Sequence, residues 1–159
     1  MIDILFFFML CYVSYQDITK RKIFNHSVLL GLSIGILFLV FSGGDRLSKG
    51  WSDSLAAATV CFVLFFIFYK IGWMGAGDVK WGAVLAFCLG FYAFCYVFLI
   101  SLFVSVIYGL LVNLLSILGN ETIKMRLTFG VVVSGKKYVP YGALLSISAM
   151  IFILGESWF

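Results

Sequence analysis

The chain has 159 residues; 64% of them are hydrophobic, only 11% are charged, and the mean hydropathy is +1.14. Soluble domains carry about 25% charged residues, so this composition excludes a sizeable soluble domain and predicts an integral membrane protein. The formal charge of +4 does not indicate a nucleic-acid partner, because the basic residues form no long tract and lie between apolar segments.

Six apolar segments predict an all-α membrane protein, a bundle of about six transmembrane helices in a single domain over residues 1–159. The segments are Ile4–Gln16, Ser27–Phe41, Ser54–Ile71, Val79–Phe91, Phe94–Leu118 and Val139–Gly155. The turn signal between the fourth and fifth segments, at residues 89–92, is weak. Residues 79–118 nevertheless number forty, which fits two helices in a tight hairpin better than one helix.

The basic residues predict the orientation of this bundle. If the amino terminus lies outside, nine of the eleven Lys and Arg residues fall in cytoplasmic loops, as the positive-inside rule favours. Both termini are therefore predicted to be non-cytoplasmic. The first apolar run carries Asp3 and has its positive charges after it, so we do not expect a cleavable signal peptide. The nine inner residues are Lys20, Arg21, Lys22, Lys70, Lys80, Lys124, Arg126, Lys136 and Lys137; Arg46 and Lys49 lie outside.

The cysteines and the single histidine indicate no metal site. The cysteines lie in apolar stretches without Cys-x-x-Cys spacing, so we interpret them as buried small apolar residues. His26 follows a basic loop and is interpreted as an interfacial polar residue. The four cysteines are Cys11, Cys61, Cys88 and Cys95.

The glycines favour close packing at two places. Gly31 and Gly35 form a Gly-x-x-x-Gly pair, which we expect to pack against another helix of the same chain. Gly72, Gly75 and Gly77 crowd the loop before the fourth segment, where they would leave room for an approaching backbone or simply form a flexible turn. The apolar run at residues 129–133 lies in the long last inner loop and could be a strand-like or a membrane-anchoring segment.

Two aspartates stand at the ends of apolar segments that share one face of the membrane. Asp17 ends the first segment and Asp78 opens the fourth, and two crossings lie between them. Ionisable groups near membrane depth are costly and usually mark a functional site. A structural interpretation is also open: Asp78 could cap a helix, and Asp17 could pair with Lys20 or Arg21.

A close pair of carboxylates can hydrolyse a peptide bond without a metal ion. Two carboxylates a few ångströms apart cannot both ionise cheaply, so one keeps its proton and the pair titrates as a unit. The ionised member can take a proton from the attacking water, while the protonated member polarises the scissile carbonyl and later protonates the leaving nitrogen. Sequence alone does not assign the two roles.

Three segments resemble the type IV prepilin peptidases, a family of membrane aspartyl proteases with a Gly-x-Gly-Asp signature. Residues 75–80, Gly-Ala-Gly-Asp-Val-Lys, are similar to that signature. Residues 17–25, Asp-Ile-Thr-Lys-Arg-Lys-Ile-Phe-Asn, resemble the family's first catalytic segment, an aspartate followed by basic residues and Ile-Pro-Asn. Residues 139–143, Val-Pro-Tyr-Gly-Ala, resemble the segment that opens the last helix.

The resemblance implies a membrane-embedded aspartyl endopeptidase of the inner (cytoplasmic) membrane. It would cleave the short basic leader of pilin-like precursors, prepilins or preflagellins, at the cytoplasmic face and without a cofactor. On this resemblance Asp17 and Asp78 are the catalytic pair. The residues expected to support the site are Gly75, Gly77, Lys80, Asn25, Pro140, Tyr141 and Gly142.

The chain departs from the family pattern in two respects. Phe24 stands where the family usually has proline, which leaves the loop after Asp17 less rigid. The paired Cys-x-x-Cys domain of the larger members is absent, so we expect neither N-methyltransferase activity nor zinc. In size the chain is similar to the short, peptidase-only members that serve tight-adherence pili or archaeal flagellins.

Two other functions compete with the protease. A small transporter could use the same aspartates to carry protons or cations, although both lie at helix ends and no ion path is evident. A non-catalytic subunit of a pilus or secretion assembly is the third hypothesis.

Overall fold

The computed structural model describes residues 2–20, 22–42, 50–117 and 141–156, and within these ranges the regular structure is helical throughout. This confirms the prediction of an all-α fold for the described part of the chain. The predicted loop segment at residues 129–133 lies outside the described residues, as does Pro140. The helices are α1 (Ile2–Lys20), α2 (Asn25–Ser42), α3 (Trp51–Ile71), α4 (Ala76–Ile117) and α5 (Tyr141–Glu156).

The long helix α4 is broken at Gly90, whose φ of 75° and ψ of 175° are not helical and favour glycine. We call residues 76–89 α4a and residues 91–117 α4b. The ring of Phe65 on α3 touches both arms: it blocks the position of a Cβ on Gly82, and its centroid lies 5.6 Å from that of Phe98. A straight helix would separate positions 82 and 98 by about 24 Å. The chain therefore turns back at Gly90, which confirms the predicted hairpin.

The first arm, α4a, is the central helix of the bundle. Its side chains Trp81, Leu85 and Leu89 are fully buried. On one side, a Cβ on Gly31 would lie 2.9 Å from the indole of Trp81, and a Cβ on Gly35 would lie 2.6 Å from the sulfur of Cys88. The two glycines thus let α2 approach α4a closely, which confirms their predicted packing within one chain.

The outward faces of the bundle are apolar. Large side chains such as Phe62 on α3 and Phe103 on α4b are exposed, as expected for helices that face lipid. Among the described residues, two helical stretches are long and apolar enough to cross a membrane by length and composition: Trp51–Ile71 and Ala76–Leu111, the second of which contains the break at Gly90. Asn25–Phe41 and Tyr141–Gly155 are shorter apolar helices. The number of spans and the sides of the termini stay predictions.

The cysteines do not all lie where we expected. Cys61 and Cys88 are buried, but Cys11 and Cys95 are exposed, so the prediction of burial is wrong for these two. An apolar stretch places small apolar residues on the outward face of a membrane helix as readily as in its core. His26 is exposed, and its ring stacks on Phe24 at a centroid distance of 5.2 Å.

The turn at Gly90 leaves the first backbone N–H groups of α4b without helical partners. Asp53, in the first turn of α3, accepts a hydrogen bond from one of them, the N–H of Phe91, at 3.3 Å. The same carboxylate carries negative charge at the amino-terminal ends of two helices, where it is stabilising. Asp53 therefore joins α3 to the hairpin at the end of α4a opposite to Asp78.

Replacing Asp53 by alanine is expected to lower the free energy of unfolding by about 1 kcal/mol, the usual cost of losing a cap. Asp53→Asn keeps an acceptor oxygen and is expected to lose less. The melting temperatures of the two variants in detergent micelles test this order. Equal melting temperatures for Asp53→Ala and the wild type would contradict the capping role.

Candidate active site

Asp17 lies in the last turn of α1, whose final residue is Lys20. The helix thus runs past the predicted end at Gln16. The Asp17 side chain is only 4% exposed, and its Oδ2 atom accepts a hydrogen bond of 2.7 Å from the backbone N–H of Ala143 in α5. A carboxylate with so little access to water depends on such donors.

Asp78 is the third residue of α4, which begins at Ala76 and so earlier than the predicted Val79. Its Oδ2 atom accepts a hydrogen bond of 3.2 Å from the backbone N–H of Gly75, so it reaches back over the start of the helix as the acidic residue of a capping box does. It also accepts a hydrogen bond from the backbone N–H of Gly142. Asp78 is partly exposed, whereas Asp17 is buried.

The two carboxylates meet at Gly142. A Cβ placed on this glycine would lie 2.8 Å from Oδ1 of Asp78 and 3.1 Å from Oδ2 of Asp17. The two oxygens are therefore no more than about 6 Å apart, the sum of these distances, which is within the range of strong charge coupling. The structure brings together two aspartates that are 61 residues apart in the sequence.

The first turn of α5 holds this pair. Consecutive backbone N–H groups, of Gly142 and Ala143, each donate to one of the two carboxylates. The amino terminus of a helix carries partial positive charge, so it stabilises negative charge at this point. For two carboxylates at one such site, the state in which they share one proton is more favourable than the state in which both are ionised. This arrangement suits general acid–base chemistry.

Two of the glycines before Asp78, Gly72 and Gly77, have different structural roles. A Cβ on Gly77 would lie 3.3 Å from Cβ and 3.4 Å from the backbone N of Ile23. The missing side chain therefore makes room for the backbone of the protein's own α1–α2 loop. The approach of a substrate chain past Gly75 and Gly77 stays a prediction. Gly72, with a φ of 83°, ends α3 as a left-handed cap.

The other predicted supporting residues lie near the pair. The ammonium of Lys80 donates a hydrogen bond of 3.0 Å to Oδ1 of Asn25, which ties the start of α2 to α4a. The hydroxyl groups of Tyr141 and Ser101 are 3.0 Å apart and share a hydrogen bond, which joins α5 to α4b. The ring of Phe65 lies edge-on to that of Tyr141.

Several contacts around the pair were not predicted from the sequence. Ser27 donates a buried hydrogen bond of 2.8 Å to Oε1 of Gln16, next to Asp17. Trp81 and Ser146 form another buried hydrogen bond, between α4a and α5. Polar side chains inside apolar segments are expected to be bonded, so such residues were detectable, but their partners were not.

Comparison with known protein families gives a finding independent of this geometry. Residues 4–110, about two-thirds of the chain, match the type IV leader peptidase family. The chain belongs to the type IV leader peptidase family. The match includes the segments of both Asp17 and Asp78 and ends before α5. No curated protein and no solved structure matches the chain.

Family membership implies that the protein is a peptidase. It also confirms the family resemblance noted at residues 17–25 and 75–80. The segment at residues 139–143 lies beyond the matched part. The structure nevertheless places Gly142 between the two aspartates that the matched part supplies.

Proposed function

We propose that this leader peptidase is a membrane-embedded aspartyl endopeptidase that removes the short basic leader of pilin-like precursors, with Asp17 and Asp78 as its catalytic pair. The observation that supports this most strongly is the convergence of the two carboxylates on either side of Gly142. Family membership supports pilin-like precursors as the class of substrate, and the geometry of the pair supports peptide hydrolysis by two carboxylates.

The proposed reaction uses the pair as one acid–base unit. The ionised carboxylate takes a proton from a water molecule as this attacks the scissile carbonyl, and the protonated carboxylate donates a hydrogen bond to the carbonyl oxygen. When the intermediate collapses, a carboxyl proton passes to the leaving nitrogen. Because Asp17 is buried and Asp78 is partly exposed, the substrate approaches from the side of Asp78.

The charges around the pair support a cytoplasmic site. Lys20, Lys22, Lys70 and Lys80 are exposed and lie at the end of the bundle that holds the two aspartates. Basic residues of membrane proteins accumulate on the cytoplasmic side. We therefore infer that the carboxylate pair faces the cytoplasm, at the inner membrane surface.

The purified protein in liposomes, incubated with a pilin precursor that has a basic leader, tests the proposal. We expect the precursor to lose the mass of its leader, and metal chelators to leave the rate unchanged because two carboxylates suffice for the chemistry. Proton or cation flux without cleavage of any precursor would contradict the proposal and favour a transporter.

A further inference from the structure

A chain of buried hydrogen bonds joins α4a to the first turn of α5. The indole N–H of Trp81 donates to Oγ of Ser146 at 2.8 Å, and that hydroxyl in turn donates to the backbone carbonyl of Gly142 at 2.8 Å. Trp81 and Ser146 are both 0% exposed. The hydroxyl thus accepts one hydrogen bond and donates another, so its single proton is fully used.

The path of this chain runs from one aspartate to the other. Trp81 follows Asp78 by three residues on α4a and lies about one helical turn away. Its hydrogen bond leads through Ser146 to Gly142, whose own N–H donates to Asp78. The next N–H, of Ala143, donates to Asp17. The helix that carries Asp78 is thereby fastened to the turn that holds Asp17.

We propose that Trp81 and Ser146 are positioning residues, which hold the first turn of α5 against α4a and so set the separation of the two carboxylates. This proposal rests on the proposed function of the pair. The indole N–H of Trp81 is donated to Ser146 and the hydroxyl proton of Ser146 to the carbonyl of Gly142, so their effect on the carboxylates is transmitted by the backbone of Gly142 and Ala143. Displacing a reacting group by about 1 Å can lower the rate by about 100-fold.

The chain offers a matched control for Ser146. Ser148 is also 0% exposed, also lies on α5, and also donates a hydrogen bond of 2.8 Å to the carbonyl four residues before it, that of Leu144. Ser146 differs in accepting the indole N–H and in bonding the residue between the two carboxylates. A structural role for a buried serine hydroxyl would therefore affect both positions alike.

The experiment compares Ser146→Ala with Ser148→Ala in cleavage of a pilin precursor, with rates normalised to folded protein. For Ser146→Ala we expect kcat to fall about 10-fold to 100-fold with KM unchanged, because the lost effect concerns the reacting geometry and not substrate binding. Ser148→Ala is expected to keep the wild-type kcat. An equal kcat for the two variants would overturn the proposal.

A double variant removes any effect of leaving the indole N–H unpaired. Trp81→Phe with Ser146→Ala replaces both polar groups by apolar ones, which avoids a buried orphan donor. We expect this protein to fold and still to show the lowered kcat; recovery of the wild-type kcat would overturn the proposal. If the wild type cleaves the precursor and Asp78→Asn does not, while these variants are unaffected, the positioning role fails but the proposed function stands.

Discussion

Asparagine in place of either Asp17 or Asp78 is expected to lower the rate of precursor cleavage by about 10²–10⁴-fold, the usual contribution of general acid–base catalysis. One carboxylate takes a proton from the attacking water and the other supplies a proton to the substrate, so neither can act alone. Asparagine keeps the shape of the side chain and can still accept from the N–H of Ala143 or Gly75. The lower cleavage rate would therefore reflect lost proton transfer and not a loss of folded protein.

Asp53→Asn is the matched control, since it makes the same isosteric change in the same chain. Asp53 bonds the N–H of Phe91, at the end of α4a opposite to Asp78. We expect this variant to cleave the precursor at the wild-type rate. The measurement is the mass of the precursor on a gel after co-expression with each enzyme, with membrane levels matched. Complete processing by Asp17→Asn or Asp78→Asn would remove the two-carboxylate mechanism.

The meeting of the two aspartates could be anticipated from the sequence because it depends on coarse properties. Hydropathy divides the chain into segments, and an even number of crossings between Asp17 and Asp78 places both at one end of the bundle. Helix ends were predicted less well. A drop in hydropathy marks the exit from lipid, whereas α1 continues through Thr19 and Lys20 because its backbone hydrogen bonds need no apolar side chains.

The surroundings of the pair depend on how each helix is rotated about its axis, which local patterns do not encode. The sequence shows small residues at Gly77 and Gly82 alike, yet the first receives the α1–α2 loop at Ile23 and the second receives the ring of Phe65. Likewise, no sequence signal reveals that the N–H of Ala143 bonds Asp17, 126 residues away. The type of a residue does not indicate whether its backbone N–H donates a hydrogen bond to a distant side chain.

Gly142→Ala is expected to have the second large effect, a fall in cleavage rate of about 100-fold, because the added methyl group would displace the carboxylates. It would lie 2.5 Å from Cδ1 of Ile23, 2.8 Å from Oδ1 of Asp78 and 3.1 Å from Oδ2 of Asp17. Such distances are shorter than van der Waals contact, so the loop or the aspartates must move. Overpacking of this kind also lowers the free energy of unfolding by about 1–3 kcal/mol.

Gly155→Ala on the same helix separates the two effects. Apart from its chain neighbours and the backbone of its own helix, no atom of the described residues lies within 4 Å of a Cβ at Gly155. Alanine there is therefore expected to leave cleavage unchanged and to stabilise the helix by up to about 1 kcal/mol. Rates per folded molecule and melting temperatures in detergent distinguish lost geometry from lost protein. Wild-type cleavage by folded Gly142→Ala would mean that a methyl group placed between the two carboxylates does not affect the reaction. That result would contradict a mechanism in which the two carboxylates share a proton.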